Sequence, residues 1–307
     1  MLQIRRFEEA SAKAYASGKV KGFCHLYIGE ESVAVGALAA LEERDYVIAT
    51  YRDHGHALAR GMSSKEIMAE LFGKVTGCSK GLGGSMHLFD AEKNFMGGHG
   101  IVGGHVAVAT GLAFGSEYKR ERAVTVCFLG EGAINIGGFH EGVSLAALWN
   151  LPIVFIIENN QYAMGTPLYR SQRIEDLSKK AVGYGIPGLR IDAGDVLDVY
   201  DCVKGAVNRA REEKGPTIIE TITYRYRGHS MSDPAKYRTG EELEAQKQKD
   251  PIKDAENQLM AAGMGKEDFK LIDEEIKAEI KEAVEFAEKS DPPPLSMLHQ
   301  YTYSQPM

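Results

Sequence analysis

Short apolar runs alternate with amphipathic stretches along most of this chain, and the two periodicities predict alternating strands and helices. Ala123 to Leu129 and Leu151 to Ile157 are rich in β-branched residues, and each is closed by a turn signal, Gly130-Glu131-Gly132 and Glu158-Asn159-Asn160. Continuous apolar runs of this length read as strands buried on both faces of a parallel sheet. Between them Phe139, Val143, Leu145, Ala146, Leu148 and Trp149 recur at roughly helical spacing. Strand, glycine-rich turn, helix and strand make a βαβ unit, which places polar groups at the carboxyl ends of its strands.

The same reading extends in both directions. Residues 2 to 16 predict a helix with Ile4, Phe7, Ala10, Ala14 and Tyr15 on one side and Arg5, Arg6, Glu8 and Glu9 elsewhere. A second helix runs to about Leu41, Tyr46 to Thr50 is a strand, and Ser63 or Ser64 caps a helix reaching Phe72. Val106 to Tyr118 is an apolar helix. Later come elements at Ile174 to Val182 and Leu189 to Asp192, a helix from Val196 to Glu213, a strand from Pro216 to Tyr224, and a helix-rich charged segment from Glu241 to Ser290. The expected fold is α/β, a mostly parallel sheet flanked by helices. Residues 1–240 form the α/β domain, and 241–307 a helical C-terminal extension of the same domain.

Residues 73–104 hold ten glycines and read as a long functional loop. Inside it Gly98-His99-Gly100-Ile101-Val102-Gly103 matches the GxGxxG dinucleotide pattern. That site needs a preceding strand and an acidic residue closing a second strand about 20 positions on. Asp90 to Met96 reads as polar and irregular, and no such acid follows, so a dinucleotide site is rejected.

Composition narrows the class. The chain has 307 residues, 44% hydrophobic and 26% charged, which is ordinary for a globular enzyme. A net charge of -7 gives no attraction to phosphate backbones, so nucleic acid is not an expected partner. No apolar run approaches the ~20 residues of a membrane span. Met1 to Ala10 is charged and lacks an apolar signal core, and the four cysteines form no CxxC pair; a cytoplasmic setting with reduced thiols is expected.

The candidate chemistry sits at strand ends. Glu131 follows one strand and Asn160 the next, with 26 residues between Gly132 and Asn159. A hard cation such as Mg²⁺ takes carboxylate, carbonyl and phosphate oxygens. Glycines let the N–H groups of Gly132 and Ala133 approach a phosphate, helped by the N-terminus of the following helix. The spacing alone also fits a plain βαβ turn with an asparagine capping its loop.

These blocks resemble the thiamine diphosphate motif of the transketolase and 2-oxoacid dehydrogenase superfamily. The closest resemblance is to the α subunits of pyruvate dehydrogenase. It is carried by Phe23-Cys24-His25-Leu26-Tyr27, Tyr51-Arg52-Asp53-His54-Gly55-His56, Gly81-Leu82-Gly83-Gly84-Ser85-Met86-His87 and Gly97 to Gly103. Gly130 to Asn135, Glu158 to Thr166 and Tyr224 to Pro234 complete it, in the expected order over most of residues 1–240. The resemblance implies a thiamine diphosphate-binding fold with Glu131, Asn160 and the Tyr162 carbonyl on Mg²⁺. It implies Tyr51, Arg52, Gly132, Ala133 and Arg225 at the diphosphate, the backbone of Gly100 and Val102 at the aminopyrimidine, and His25 and His229 beside the thiazolium. His87, His99, His105 and His140 are read as structural.

The family pattern is Gly-Asp-Gly, and Glu131 departs from it by one methylene, roughly 1.5 Å of reach. Metal binding is expected to survive the change. The glutamate that activates the cofactor lies on the β subunit in two-chain members, so the resemblance implies an obligate complex, α₂β₂. The implied reaction is oxidative decarboxylation of pyruvate with reductive acetylation of a lipoyl group on an acyltransferase partner. Acetoin or a branched-chain 2-oxoacid as substrate, and a non-catalytic assembly subunit, stand as alternatives. The segment from Arg227 to Arg238 corresponds to a cofactor-ordered loop whose regulatory serine in mitochondrial relatives matches Ser230; a substrate loop without regulation is favoured here.

Overall fold

The computed structural model describes residues 1–301 and builds one sheet with helices on both faces; residues 302–307 of the expected helical extension lie outside the described residues. The strands are β1 (Tyr46–Thr50), β2 (Phe95–His99), β3 (Thr125–Gly130), β4 (Ile153–Asn159), the short hairpin pair β5 (Tyr162–Ala163) and β6 (Thr166–Pro167), β7 (Gly188–Asp192) and β8 (Thr217–Ile222). Six of them form a parallel sheet in the order β2-β1-β3-β4-β8-β7. The helices are α1 (Leu2–Ala16), α2 (Glu31–Ala39), α3 (His54–Ala59), α4 (Ser64–Leu71), α5 (His105–Lys119), α6 (Gly137–Leu148), α7 (Leu168–Ser171), α8 (Val196–Arg211), α9 (Gly240–Lys247), α10 (Pro251–Ala261) and α11 (Lys266–Lys289).

The central strands are apolar throughout because each face meets a separate core. Val126, Phe128, Val154 and Ile156 point into a cluster with residues of α1, α2, α4 and α8. Cys127, Leu129, Phe155 and Ile157 alternate to the other side, against Val106 and Ala109 of α5 and Phe139 and Val143 of α6. Period-two alternation within a continuous apolar run is the signature of a strand covered twice. The register pairs Gly130 of β3 with Glu158 of β4, so both turn signals open at the same edge of the sheet.

The C-terminal helices return to the first ones. Gln3 and Ser64 both donate to Glu279 of α11, and Arg6 reaches Asp273 at 2.7 Å. Helix α4 starts at its Ser63 cap, whose hydroxyl accepts from the Glu66 N–H.

Three expectations change. The loop expected over residues 73–104 contains β2, the edge strand beside β1, so the GxGxxG stretch does follow a strand. Its sequence, Phe-Met-Gly-Gly-His, lacks the β-branched residues that mark strands and is held by pairing to β1 instead of by propensity. The rejection of a dinucleotide site rests on its other ground, the missing acid about 20 positions on. Glu8, expected off the apolar side of α1, is fully buried: it accepts from the Tyr27 N–H at 2.6 Å and pairs with His54 at 2.8 Å. A 3₁₀ turn at Ala133–Asn135 separates Gly132 from α6, so the N–H groups of Gly132 and Ala133 do not belong to that helix's first turn.

Candidate active site

A cavity of about 260 Å³ opens where β1, β3 and β4 end. Crevices at the carboxyl ends of parallel strands are the usual ligand sites of such sheets, since loops there can add polar groups without disturbing the core. Its walls include Tyr51, Arg52, Val102, Glu131, Gly132, Ala133, Asn160, Tyr162, Arg225 and His229. These residues come from five separated segments. Gly100 and His25 are not among the lining residues; His25 stands behind the wall, its ring 4.5 Å from Tyr51 and 5.0 Å from His229, centroid to centroid.

Each polar group is placed by its local backbone. Glu131 and Gly132 form the turn that leaves β3, and a Cβ on Gly132 would stand 2.7 Å from the Cβ of Ala163. Glycine is required there because the turn touches the β5–β6 hairpin. Gln161 and Met164 flank the start of that hairpin at φ 76° and 54°, a left-handed backbone that costs of order 1–3 kcal/mol per residue. Between them the Tyr162 carbonyl faces Arg225.

Arg225, fully buried beyond β8, is the hub. Its Nη1 donates to Asn160 Oδ1 and to the Tyr162 carbonyl, both at 3.2 Å, and its Nη2 to the Met164 carbonyl at 3.0 Å. Arg52 is used differently from the expectation. Its two Nη groups donate to the carbonyls of Leu26 at 2.7 Å and His229 at 2.8 Å. It thus braces the segments that carry His25 and His229, and its charge, more than its donors, faces the cavity.

Two buried carboxylate oxygens at this site, Glu131 Oε1 and Glu30 Oε2, have no hydrogen-bond partner. Burial pushes the pKa of both carboxyls up, and the nearby guanidinium charges pull them down. Glu30 Oε2 lies 3.8 Å from Arg52 Nε, too far for a hydrogen bond, and a buried carboxylate oxygen left without one is costly, so such a site favours a bound cation. Among the described residues no cluster of three or more His, Cys, Asp or Glu side chains is arranged for a metal. A cation here would use mixed donors, carboxylate, amide and carbonyl oxygen, which is the set a hard ion prefers.

The histidines are held neutral. Burial first, then the Arg52 and Arg225 charges, lower His229 to about 4. Burial, then Arg52 and His229, lower His25 to about 2. The Nδ1 atoms of both rings are buried without a protein partner. The polar stretch at the end of β1 divides in two: Tyr51 and Arg52 face the cavity, while Asp53, His54 and His56 point inward. His54 joins Glu8 and Ser85, and His56 Nε2 lies 3.0 Å from Glu158, which also accepts from the Tyr27 hydroxyl. His105, read from sequence as structural, donates from Nε2 to the Phe128 carbonyl at 2.8 Å, and it and His99 also line the cavity.

The loop from Arg227 to Arg238 closes one side. Asp233 accepts from the His229 N–H at 2.6 Å and the Tyr237 hydroxyl at 2.7 Å, and Arg238 donates to the carbonyls of Tyr226 and Arg227. Ser230 Oγ lies 3.0 Å from Ser232 Oγ.

Several participants were not singled out by the sequence. Glu30 and Glu158 line the cavity, and Glu70, behind the glycine-rich loop, accepts from the N–H groups of Ser79, Gly81, Gly83 and Gly84 at 2.7–2.9 Å. Of these, Glu158 carried a signal only as part of the turn that closes its strand.

A doubly covered parallel sheet, with a cleft offering arginine charge, backbone N–H groups and buried acid at its strand ends, defines an α/β protein with a polar ligand cleft. More particularly, the chain belongs to the dehydrogenase E1 component family, whose model matches residues 1–296. It is 48% identical to the pyruvate dehydrogenase E1 component subunit alpha of Rhizobium meliloti (strain 1021), over 97% of this chain and 86% of the relative. It is 47% identical to that of Rickettsia bellii (strain RML369-C), over 99% and 93%. With the Zymomonas mobilis subunit it shares 48%, over 95% and 83%. No helix among the described residues is long and apolar enough to cross a membrane.

Proposed function

We propose that this chain is the α subunit of a pyruvate dehydrogenase E1 component that uses thiamine diphosphate and Mg²⁺ and works with a separate β chain. The observation that carries the proposal is the convergence of Glu131, Asn160, Tyr162, Tyr51, Arg225 and His229 on one cavity from segments far apart in the chain. Glu131, Asn160 Oδ1 and the Tyr162 carbonyl would hold Mg²⁺, the last two once Arg225, which donates to both here, gives them up for the diphosphate. The Tyr51 hydroxyl, the Arg225 guanidinium and the N–H groups of Gly132 and Ala133 would meet the diphosphate, with Arg52 adding charge from behind. The backbone of Val102 and Gly100 would meet the aminopyrimidine. Bound thiamine diphosphate supplies the electron sink for decarboxylation of a 2-oxoacid.

The chain's own residues then orient and shield. His229 is neutral at pH 7, with Nδ1 free of protein partners, so it can hold or pass a proton at that atom. His25 packs edge-on behind it and supports the wall through Tyr51. The acid that activates the cofactor would come from the β chain in an α₂β₂ assembly, and the acetyl group would leave on the lipoyl arm of an acyltransferase, in the cytoplasm. Residues 1–240 would be the thiamine diphosphate-binding unit, with the later helices as its extension.

Calorimetry of thiamine diphosphate against the αβ complex, with and without Mg²⁺, tests the reading. Mg²⁺-dependent saturable binding is expected, with turnover of pyruvate ahead of 2-oxoisovalerate and acetoin. Absence of binding, or decarboxylation of pyruvate by the α chain alone, overturns it.

A further inference from the structure

The Asn160 side chain can serve a cation only through its oxygen, yet its amide has two ends of nearly equal size. Something in the fold must decide which end faces the cavity. Asn160 Nδ2 donates to Glu30 Oε1 at 3.0 Å, and Oδ1 lies on the opposite side, toward the Tyr162 N–H at 3.4 Å and Arg225 at 3.2 Å. The Glu30 oxygen facing Asn160 accepts this bond, so it selects the donor end of the amide. Glu30 is itself 1% exposed and stands rigidly as the residue before α2, where its carbonyl already accepts from the Val33 N–H at 3.0 Å.

We infer that Glu30 is a positioning residue for the cation site: its carboxylate holds Asn160 from behind and fixes the amide so that Oδ1 is presented to the metal. The inference rests on the proposed metal-dependent function and adds to it a residue of the cavity wall that acts on the metal through Asn160. The oxygen of Glu30 that bonds Asn160 does the work; the negative charge as such does not. A glutamine at this position keeps an acceptor oxygen at the same reach, while a leucine of similar length keeps the volume and loses the acceptor.

The test uses the full chain assembled with its β chain, and reads Mn²⁺ binding by electron paramagnetic resonance in the presence of thiamine diphosphate. Groups that hold a metal ligand in orientation are commonly worth 10–100-fold in metal affinity. Glu30→Leu is expected to weaken Mn²⁺ binding by at least about tenfold, and Glu30→Gln to stay within about threefold of the parent. Thermal melting of both variants without ligand shows that each is folded; should the leucine variant fail to fold, Glu30→Met takes its place. Equal loss in the glutamine and leucine variants overturns the inference, because charge would then be the contribution. Unchanged affinity in both also overturns it. If the parent complex itself binds no Mn²⁺ with thiamine diphosphate, the proposed function fails; if the parent binds and the variants break the pattern, only the role of Glu30 fails.

Discussion

Gly132→Ala is the sharpest probe of how the site is held. The added methyl would lie 2.7 Å from the Cβ of Ala163, and the next atom, the Ala163 Cα, is 3.8 Å away. Carbon atoms pack at about 3.5–4.0 Å, so the two backbones must part by about 1 Å. Neither atom belongs to a flexible side chain, so the strain goes into the Glu131–Gly132 turn and the hairpin carrying Tyr162. Overpacking of this kind costs about 1–3 kcal/mol, and in a chain this long each kcal/mol lowers Tm by roughly 2–4 °C. The larger effect falls on the ligand, since a displacement near 1 Å can cost about 100-fold in a positioned site. The companion change Ala163→Gly removes the opposing methyl. Melting curves and thiamine diphosphate titrations of the parent, both single variants and the double variant form a cycle. Gly132→Ala is expected to lose affinity and the double variant to recover most of it, short of full recovery because glycine in the hairpin costs about 0.5–1 kcal/mol. A double variant as weak as Gly132→Ala alone would refute the account, since the clash would not be what damages the site.

Other outcomes follow from the same geometry. Glu131→Asp, which restores the family's Gly-Asp-Gly, is expected to leave Mg²⁺-dependent cofactor affinity equal or better; calorimetry showing complete loss counts against Glu131 as a metal ligand. Glu70→Gln removes part of a carboxylate that accepts four backbone N–H groups, each charge-assisted bond being worth about 1.5–3 kcal/mol; hydrogen exchange at residues 79–84 should rise markedly, and unchanged protection would show the loop is held otherwise. Burial lowers His105 from its ordinary 6.5 to about 4, so between those values the unfolded chain binds a proton that the folded one refuses. Stability therefore falls as pH drops through that window; His105→Gln is expected to shallow the slope in denaturant melts at pH 4.5 and about 6.5, and an identical slope would exclude His105 as a contributor.

Much of this architecture could be read from one sequence, for identifiable reasons. Strands β3 and β4 are buried on both faces, so their burial is written locally as continuous apolar runs. Strand β2 escaped because its pairing with β1, and not its own residues, makes it a strand. Glu8, Glu30, Glu70 and Glu158 were harder still. A buried carboxylate and an exposed one are the same letter, and what distinguishes them is a partner far along the chain, such as Asn160 for Glu30 or the loop amides for Glu70. Arg52 shows the converse: its expected place at the cavity is correct, but its donors are spent on the carbonyls of Leu26 and His229, which no local pattern encodes.

The strand order has a consequence for how the chain is assembled during synthesis. β7 emerges before β8, yet its only neighbour in the sheet is β8, which itself pairs with β4 on its other side. Until Thr217–Ile222 leaves the ribosome, β7 has no edge to join and β4 keeps one edge open. The segment that closes both gaps runs straight on into Arg225, whose guanidinium then lands on Asn160 and Tyr162. Closing the sheet therefore also delivers the last wall of a cleft whose other walls stand at the ends of β1, β3 and β4.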